Sequence, residues 1–197
     1  MSEWRLGASV LSALAMAAVA AAQIQSASAP ATFVPWKVLN RGDAPAKSEL
    51  VLNWIPATRD EIRHSPLITS RSLALSASQC VAMQIIRPDD SETIEKLGAD
   101  ELPAAVLVDG NGVVVARVKS EAGALHTQDV EKMVRDALAS RDVELDHVLD
   151  NARTKADAGE RDAAVDLYRR VCALRCLFPR KARDAERALS KLGVSVK

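Results

Sequence analysis

The sequence predicts an α/β fold, a mixed β-sheet flanked by helices and followed by a short all-helical C-terminal extension. Three apolar, β-branched runs at 50–54, 81–86 and 104–108 have the length and composition of buried strands. The Asp-Gly-Asn-Gly sequence at 109–112 joins the third run to a fourth at 113–118, and such pairs are strong hairpin signals. From residue 143 onwards the apolar spacing is only helical.

Helical patterns lie between the predicted strands. The segment 58–78 is long enough for a crossover helix, which Pro66 is expected to break or kink. The acidic sequence at 89–92 predicts a capping box before a short helix at 93–97. Thr127 is the predicted N-cap of a third helix, whose apolar positions recur at helical spacing. The resulting order, β-α-β-α-β-β-α, is typical of a mixed sheet covered by helices.

The C-terminal segment, 143–194, contains three apolar stripes with helical spacing. Gly159 separates the first stripe from the second, and Pro179 separates the second from the third. Three short antiparallel helices follow from this pattern.

Composition and charge exclude some classes of partner. The 197 residues include 26 basic and 26 acidic side chains, so the net charge is zero and no field gathers phosphate groups. Aromatic residues make up only 3% of the chain, which is too few for base-stacking platforms. We therefore expect nucleic acid and anionic membrane surfaces not to be partners.

The N-terminal segment has the composition of a targeting signal. An alanine-rich apolar run at 6–22 follows Arg5 and precedes small residues, as in a secretory signal peptide. Residues 1–22 are the predicted signal peptide, with an uncleaved anchor as the alternative, and residues 23–32 are a predicted flexible leader. The expected location is periplasmic or secreted, with no stable membrane span after cleavage.

The segment 50–118 resembles the thioredoxin-like superfamily, particularly its secreted bacterial members. After a buried strand that family carries a Trp-Cys-x-x-Cys-(Arg/Lys)-x-Glu signature at the start of a helix. The corresponding positions here are Trp54, Ile55, Pro56, Ala57, Thr58, Arg59, Asp60 and Glu61. The tryptophan, the basic residue and the glutamate match, whereas Ile55 and Thr58 replace the two cysteines.

Two further parts of the chain carry a resemblance. Leu102 and Pro103, followed by strand, glycine-rich turn and strand, resemble the family's cis-proline block, so Pro103 is the candidate cis-proline. The resemblance implies a thioredoxin-like domain over 33–140. The spacing of Gly159, Ala164 and Tyr168 resembles the centre of a tetratricopeptide repeat, which implies a helical hairpin within 143–194.

The signature without its two cysteines, called the vacated signature below, favours binding over catalysis. Dithiol exchange needs a low-pKa thiolate and a resolving thiol, and neither Ile55 nor Thr58 supplies one. In the family, the groove beside the cis-proline holds extended peptide, so Trp54, Pro56, Leu102 and Pro103 are candidate groove residues. We expect an exported, non-catalytic module that binds a protein or an extended peptide in the cell envelope, without a cofactor or a metal. A structural subunit of an envelope assembly fits the sequence equally.

Three cysteines remain, and their roles stay open at this point. Cys80 begins an apolar strand and is either a buried small side chain or a lone reactive thiol. Cys172 and Cys176 are four residues apart, so on one helix they would share a face as packing residues, as a disulfide or as a copper(I) pair. The alternative function is therefore an atypical thiol-disulfide oxidoreductase or copper-handling protein that uses Cys172 and Cys176.

Overall fold

The computed structural model describes residues 33–40 and 42–195. The predicted signal peptide at 1–22 and the leader at 23–32 lie outside these residues. The described residues belong to one compact unit, and they form an α/β fold with a five-stranded mixed sheet and six α-helices.

The sheet has the strand order β1-β3-β2-β4-β5. Strands β1 and β3 and strands β2 and β3 are parallel, whereas β4 is antiparallel to both β2 and β5. The four predicted strands and the antiparallel hairpin are confirmed, and β1 is an additional strand. The strands are β1 (Lys37–Leu39), β2 (Leu50–Ile55), β3 (Val81–Ile86), β4 (Ala104–Asp109) and β5 (Val114–Lys119).

Helices connect and cover the strands. The predicted crossover is broken at Pro66, which begins a 3₁₀ turn at Pro66–Ile68 between α1 and α2. Asp90 caps α3, because its carboxylate accepts hydrogen bonds from the amide and the hydroxyl of Thr93 at 3.3 and 2.8 Å. The helices are α1 (Glu61–His64), α2 (Arg71–Ser78), α3 (Ser91–Leu97), α4 (Thr127–Asp157), α5 (Arg161–Ala173) and α6 (Pro179–Lys191).

Both faces of the three central strands, β2, β3 and β4, are buried, since strand alternation sends apolar side chains to each side. Leu50, Leu52 and Trp54 belong to the larger core, which is shared with α2, α4, α5 and α6. Val51 and Ile55 belong to a smaller core on the opposite face, against which Leu97 of α3 packs. Every residue of β2 is consequently buried.

The helix α4 is longer than the sequence pattern predicts. It runs without a break through the predicted boundary between residues 140 and 143, because that stretch is polar but contains neither glycine nor proline. The prediction that Thr127 caps this helix is wrong. The N-cap position is His126, and the Thr127 hydroxyl forms no hydrogen bond within the part of the chain that the structure describes.

The C-terminal helices pack on the sheet and share its core. Gly159 turns the chain between α4 and α5 with a φ of +79°, a conformation that glycine adopts without strain. Ala164 is fully buried in α5, where its small side chain permits close helix packing. The side chains of α5 and α6, including Val171 and Leu189, belong to the same core cluster as Leu107 of the sheet.

An ion pair joins the last helix to α4. The Lys181 ammonium lies 3.2 Å from an Asp142 carboxylate oxygen and also bonds to Asp146, and the lysine side chain is only 13% exposed. Burial lowers the pKa of Lys181, but the hydrogen bonds to Asp146 and Asp142 outweigh it, so the pKa lies above the ordinary value of 10.5. The pair therefore stabilises the folded protein below about pH 10.5, and this stabilisation is lost as pH rises through the folded pKa.

We expect Lys181→Met to lower the free energy of unfolding by about 1–2 kcal/mol at neutral pH, between the values for exposed and buried pairs. The difference between wild type and variant should shrink above pH 10.5. Denaturant unfolding at pH 7 and at several alkaline pH values measures both. Lys132→Met, which removes an exposed pair with Asp136, is the control and should cost less. If Lys181→Met lowers the free energy of unfolding no more than the control does, the stabilising role of the Lys181 ion pair is contradicted.

Within residues 33–40 and 42–195, no helix has both the length and the apolar character needed to cross a membrane.

Candidate functional site

Trp54, Ile55, Pro56, Ala57 and Thr58, the predicted site positions, lie where β2 ends, beside the start of β4. Ile55 pairs with Ala104 in the antiparallel ladder, so Pro56 and Pro103 occupy the next position on each strand. The peptide bond between Leu102 and Pro103 is cis, which confirms the prediction for Pro103. The structure thus brings the two predicted groups of site residues together.

Most of these residues are inaccessible. Trp54 and Ile55 have no exposed surface, and Pro56 and Pro103 are also buried. This corrects the expectation that Trp54, Pro56 and Pro103 line an open groove. Trp54 points into the larger core because it alternates with Leu50 and Leu52 along β2. The accessible part of the site consists of Ala57, Thr58 and the half-buried Leu102.

The loop after β2 is closed by side-chain hydrogen bonds at the start of α1. The Thr58 hydroxyl accepts the amide hydrogen of Glu61 at 3.3 Å, and the Glu61 carboxylate accepts the amide hydrogen of Ala57 at 2.8 Å. This exchange resembles a capping box, in which a threonine and a glutamate three residues later satisfy free amide groups. Thr58 therefore has a local structural role.

The buried tryptophan packs against a second indole. The ring centroids of Trp54 and Trp36 lie 5.5 Å apart at an interplanar angle of 61°, an edge-to-face arrangement. The Trp36 indole nitrogen donates to the Leu67 carbonyl at 3.1 Å, whereas the indole nitrogen of Trp54 bonds to no described residue. Trp54 therefore contributes to the fold through apolar packing.

An exposed ion-pair cluster links this loop to the one after β3. Arg87 binds Asp89 through two nitrogens, at 2.9 and 2.6 Å, and Arg59 reaches the same carboxylate at 3.2 Å. The hydrogen bond from Arg87 lowers the pKa of Asp89, which stays ionised at neutral pH. The loops that follow the two central parallel strands are thus held side by side on the surface.

The cysteine pairing differs from the two predictions that pair Cys172 with Cys176, one as a disulfide and one as a copper(I) site. The structure has a disulfide between Cys80 and Cys176, with the two Cα atoms 5.8 Å apart, within the usual range. Helix α5 ends at Ala173, so Cys176 lies in the turn after the helix and does not share a helical face with Cys172. Cys80 is exposed between α2 and β3, so it is neither a buried packing residue nor a lone thiol.

Cys172 keeps a free thiol. Burial raises the pKa of this thiol, the nearby Glu186 carboxylate raises it further, and Arg175 offsets part of the effect. A thiol with a raised pKa forms little thiolate at neutral pH and is a weak nucleophile and metal ligand. In the part of the chain that the structure describes, no three His, Cys, Asp or Glu side chains are placed to hold a metal ion.

Two buried polar residues in the central strands have no role predicted from the sequence. Asn53 in β2 and Gln84 in β3 are register neighbours in the parallel ladder and are 4% and 1% exposed. Each interrupts an otherwise apolar strand. This interruption is the signal that the sequence offers, because a polar side chain inside a buried strand needs a hydrogen-bond partner.

Comparison of the chain with models of known protein families finds no matching family, and comparison with curated proteins finds no matching protein.

Proposed function

We propose that this chain is an exported, non-catalytic thioredoxin-like protein that binds a protein or an extended peptide in the cell envelope. The observation that carries the proposal is the state of the two signature positions. Ile55 is a fully buried aliphatic residue, and the Thr58 hydroxyl is engaged with the amide of Glu61. A site that retains the surrounding frame but has no thiol favours recognition over electron transfer.

The disulfide supports both the compartment and the non-catalytic role. Disulfides persist in secreted and periplasmic proteins and are rare in the reducing cytosol, so the bond between Cys80 and Cys176 favours export. It joins the sheet domain to the segment between α5 and α6, away from the vacated signature. A bond in this position is suited to holding the helical extension on the sheet.

The alternative function, thiol-disulfide exchange or copper handling by Cys172 and Cys176, has less support. With Cys176 bonded to Cys80, only Cys172 retains a thiol, and its pKa is raised by burial. A copper(I) site of two thiolates would first require reduction of the disulfide.

The proposed binding surface includes Ala57, Thr58 and Leu102, the accessible residues beside the cis-proline. We expect Ala57→Arg to weaken binding of an extended peptide by about tenfold or more, because a large charged side chain would block the approach to Leu102. An array of extended peptides, followed by fluorescence anisotropy on the tightest binder, measures the effect on the full chain.

Ala139→Arg is the matched control, since Ala139 is equally an exposed alanine but lies in α4. This variant should bind like wild type. The proposal fails if no peptide in the array binds, or if Ala57→Arg and Ala139→Arg bind the same peptide with the same affinity.

A further inference from the structure

A cavity of about 450 Å³ lies on the face of the sheet opposite the larger core. It is bounded by the central strands, by residues 40, 42, 43, 45 and 46 after β1, by α3 and by the turn between β4 and β5. Apolar side chains from the strands, from the residues after β1 and from α3 form its walls, among them Leu39, Val51, Ile86, Leu97 and Val108. Its size and apolar lining are those of small-molecule sites in proteins.

Two carboxamides border this cavity from the sheet. Asn53 and Gln84 stand side by side on neighbouring parallel strands, on the same face as Val51 and Ile86. Gln84 is 1% exposed, and neither its Oε1 nor its Nε2 atom forms a hydrogen bond with any described residue. Buried polar groups in folded proteins are nearly always paired, so the Gln84 carboxamide has a hydrogen-bonding capacity that no described residue satisfies.

The other lining groups constrain the charge of such a partner. Among the described residues that line the cavity, four carboxylates and one ammonium are present. Hydrogen bonds hold three of the carboxylates in place, since Asp43 accepts from the Asn40 amide, Asp90 from Thr93 and Asp109 from the amide of Val113. The ammonium, that of Lys96, lies 2.7 Å from Glu92. An anionic molecule would meet like charge at this site.

We propose that this cavity is a binding site for a small neutral or cationic molecule that carries an amide-type group, with the Gln84 carboxamide as its main polar contact. A carboxamide offers one acceptor oxygen and two N–H donors, and a primary amide, lactam or urea presents the complementary donor and acceptor side by side. The apolar walls contact the body of the molecule, and the carboxylates favour a basic group on it. None of these residues belongs to the proposed peptide surface, so the two sites are separate.

Four probes of similar shape test the proposal on the full chain: benzamide, para-aminomethylbenzamide, acetophenone and benzoate. The readout is the nitrogen-15 spectrum, including the side-chain amide signals of Gln84. We expect both amides to shift the Gln84 signals, with the cationic amide binding more tightly. Acetophenone, which only accepts hydrogen bonds, should bind about tenfold more weakly, and benzoate more weakly still.

Gln84→Leu removes the polar contact and keeps the volume of the side chain. We expect this variant to bind benzamide about tenfold more weakly and to unfold at a higher temperature than wild type without a probe, because an unpaired buried carboxamide is removed. Gln128→Leu, at an exposed position of α4, is the control and should change neither property. The proposal is overturned if neither amide shifts the Gln84 signals, if benzoate binds as well as benzamide, or if Gln84→Leu retains wild-type affinity.

Discussion

Replacing both Cys80 and Cys176 with serine should lower the free energy of unfolding by about 3–5 kcal/mol. The two cysteines are 96 residues apart in the chain. A cross-link that closes a loop of this length removes much of the conformational freedom of the unfolded state, and the free energy of unfolding rises accordingly. Denaturant unfolding of the wild type and of the double variant, without reductant, measures the difference.

The free thiol provides the matched control. Cys172→Ser removes a cysteine from the same region but leaves the disulfide intact, so we expect a loss well below that of the double variant. Adding a reductant to wild type should reproduce the double variant and should have little further effect on that variant. Equal losses in Cys172→Ser and the double variant would contradict a stabilising role for the bond between Cys80 and Cys176.

The sequence alone was insufficient to predict this pairing. The spacing of Cys172 and Cys176 predicts a local pair, whereas the observed partner of Cys176, Cys80, lies 96 residues earlier in the chain, between α2 and β3. Two features decide the outcome: α5 ends at Ala173, and Cys80 occupies the exposed turn before β3. Both depend on tertiary packing, which spacing along one segment does not report.

Local patterns predicted most of the sheet. Strands β2 to β5 follow from short apolar runs, and the hairpin follows from the turn sequence at 109–112. The exception is β1, Lys37–Leu39, which has three residues and only one buried side chain. Such a strand has no distinctive periodicity, and it forms because the edge of β3 offers free backbone groups to pair with.

The predicted boundary at 140–143 shows that an apolar pattern alone does not locate the end of a helix. The change from one apolar stripe to another predicts a boundary at this point, but α4 continues from Thr127 to Asp157. A helix ends where a cap or a breaker occurs, not where its apolar face changes partner. Here one uninterrupted helix, α4, contacts strands β4 and β5 of the sheet as well as α5.

The candidate site was predicted in position but not in accessibility. The resemblance implies that Trp54, Pro56 and Pro103 lie beside one groove, and the ladder between β2 and β4 has these residues at one end of the two strands. Exposure depends on which face of β2 each residue occupies and on what covers that face. Because helices cover the face that carries Trp54, this residue belongs to the core.

Trp54→Ala should therefore lower the free energy of unfolding by about 3–5 kcal/mol, the range for a large aromatic side chain removed from a packed core. The lost indole is fully buried and also contacts Trp36 edge to face. Trp54→Phe should lower the free energy of unfolding by less, because it keeps an aromatic ring. It also removes no hydrogen bond, since the Trp54 indole nitrogen forms none with the described residues. Denaturant unfolding of the two variants measures these differences.

Peptide-binding measurements distinguish the packing role of Trp54 from a role in peptide recognition. Trp54→Phe should bind the tightest array peptide with wild-type affinity, because the accessible surface is formed by Ala57, Thr58 and Leu102. Ala57→Arg should show the reverse pattern, with weak binding and nearly unchanged stability, since its side chain lies on the surface. If Trp54→Phe lost affinity while keeping its stability, the tryptophan would be a contact residue, and the assignment of Trp54 to the core alone would be wrong.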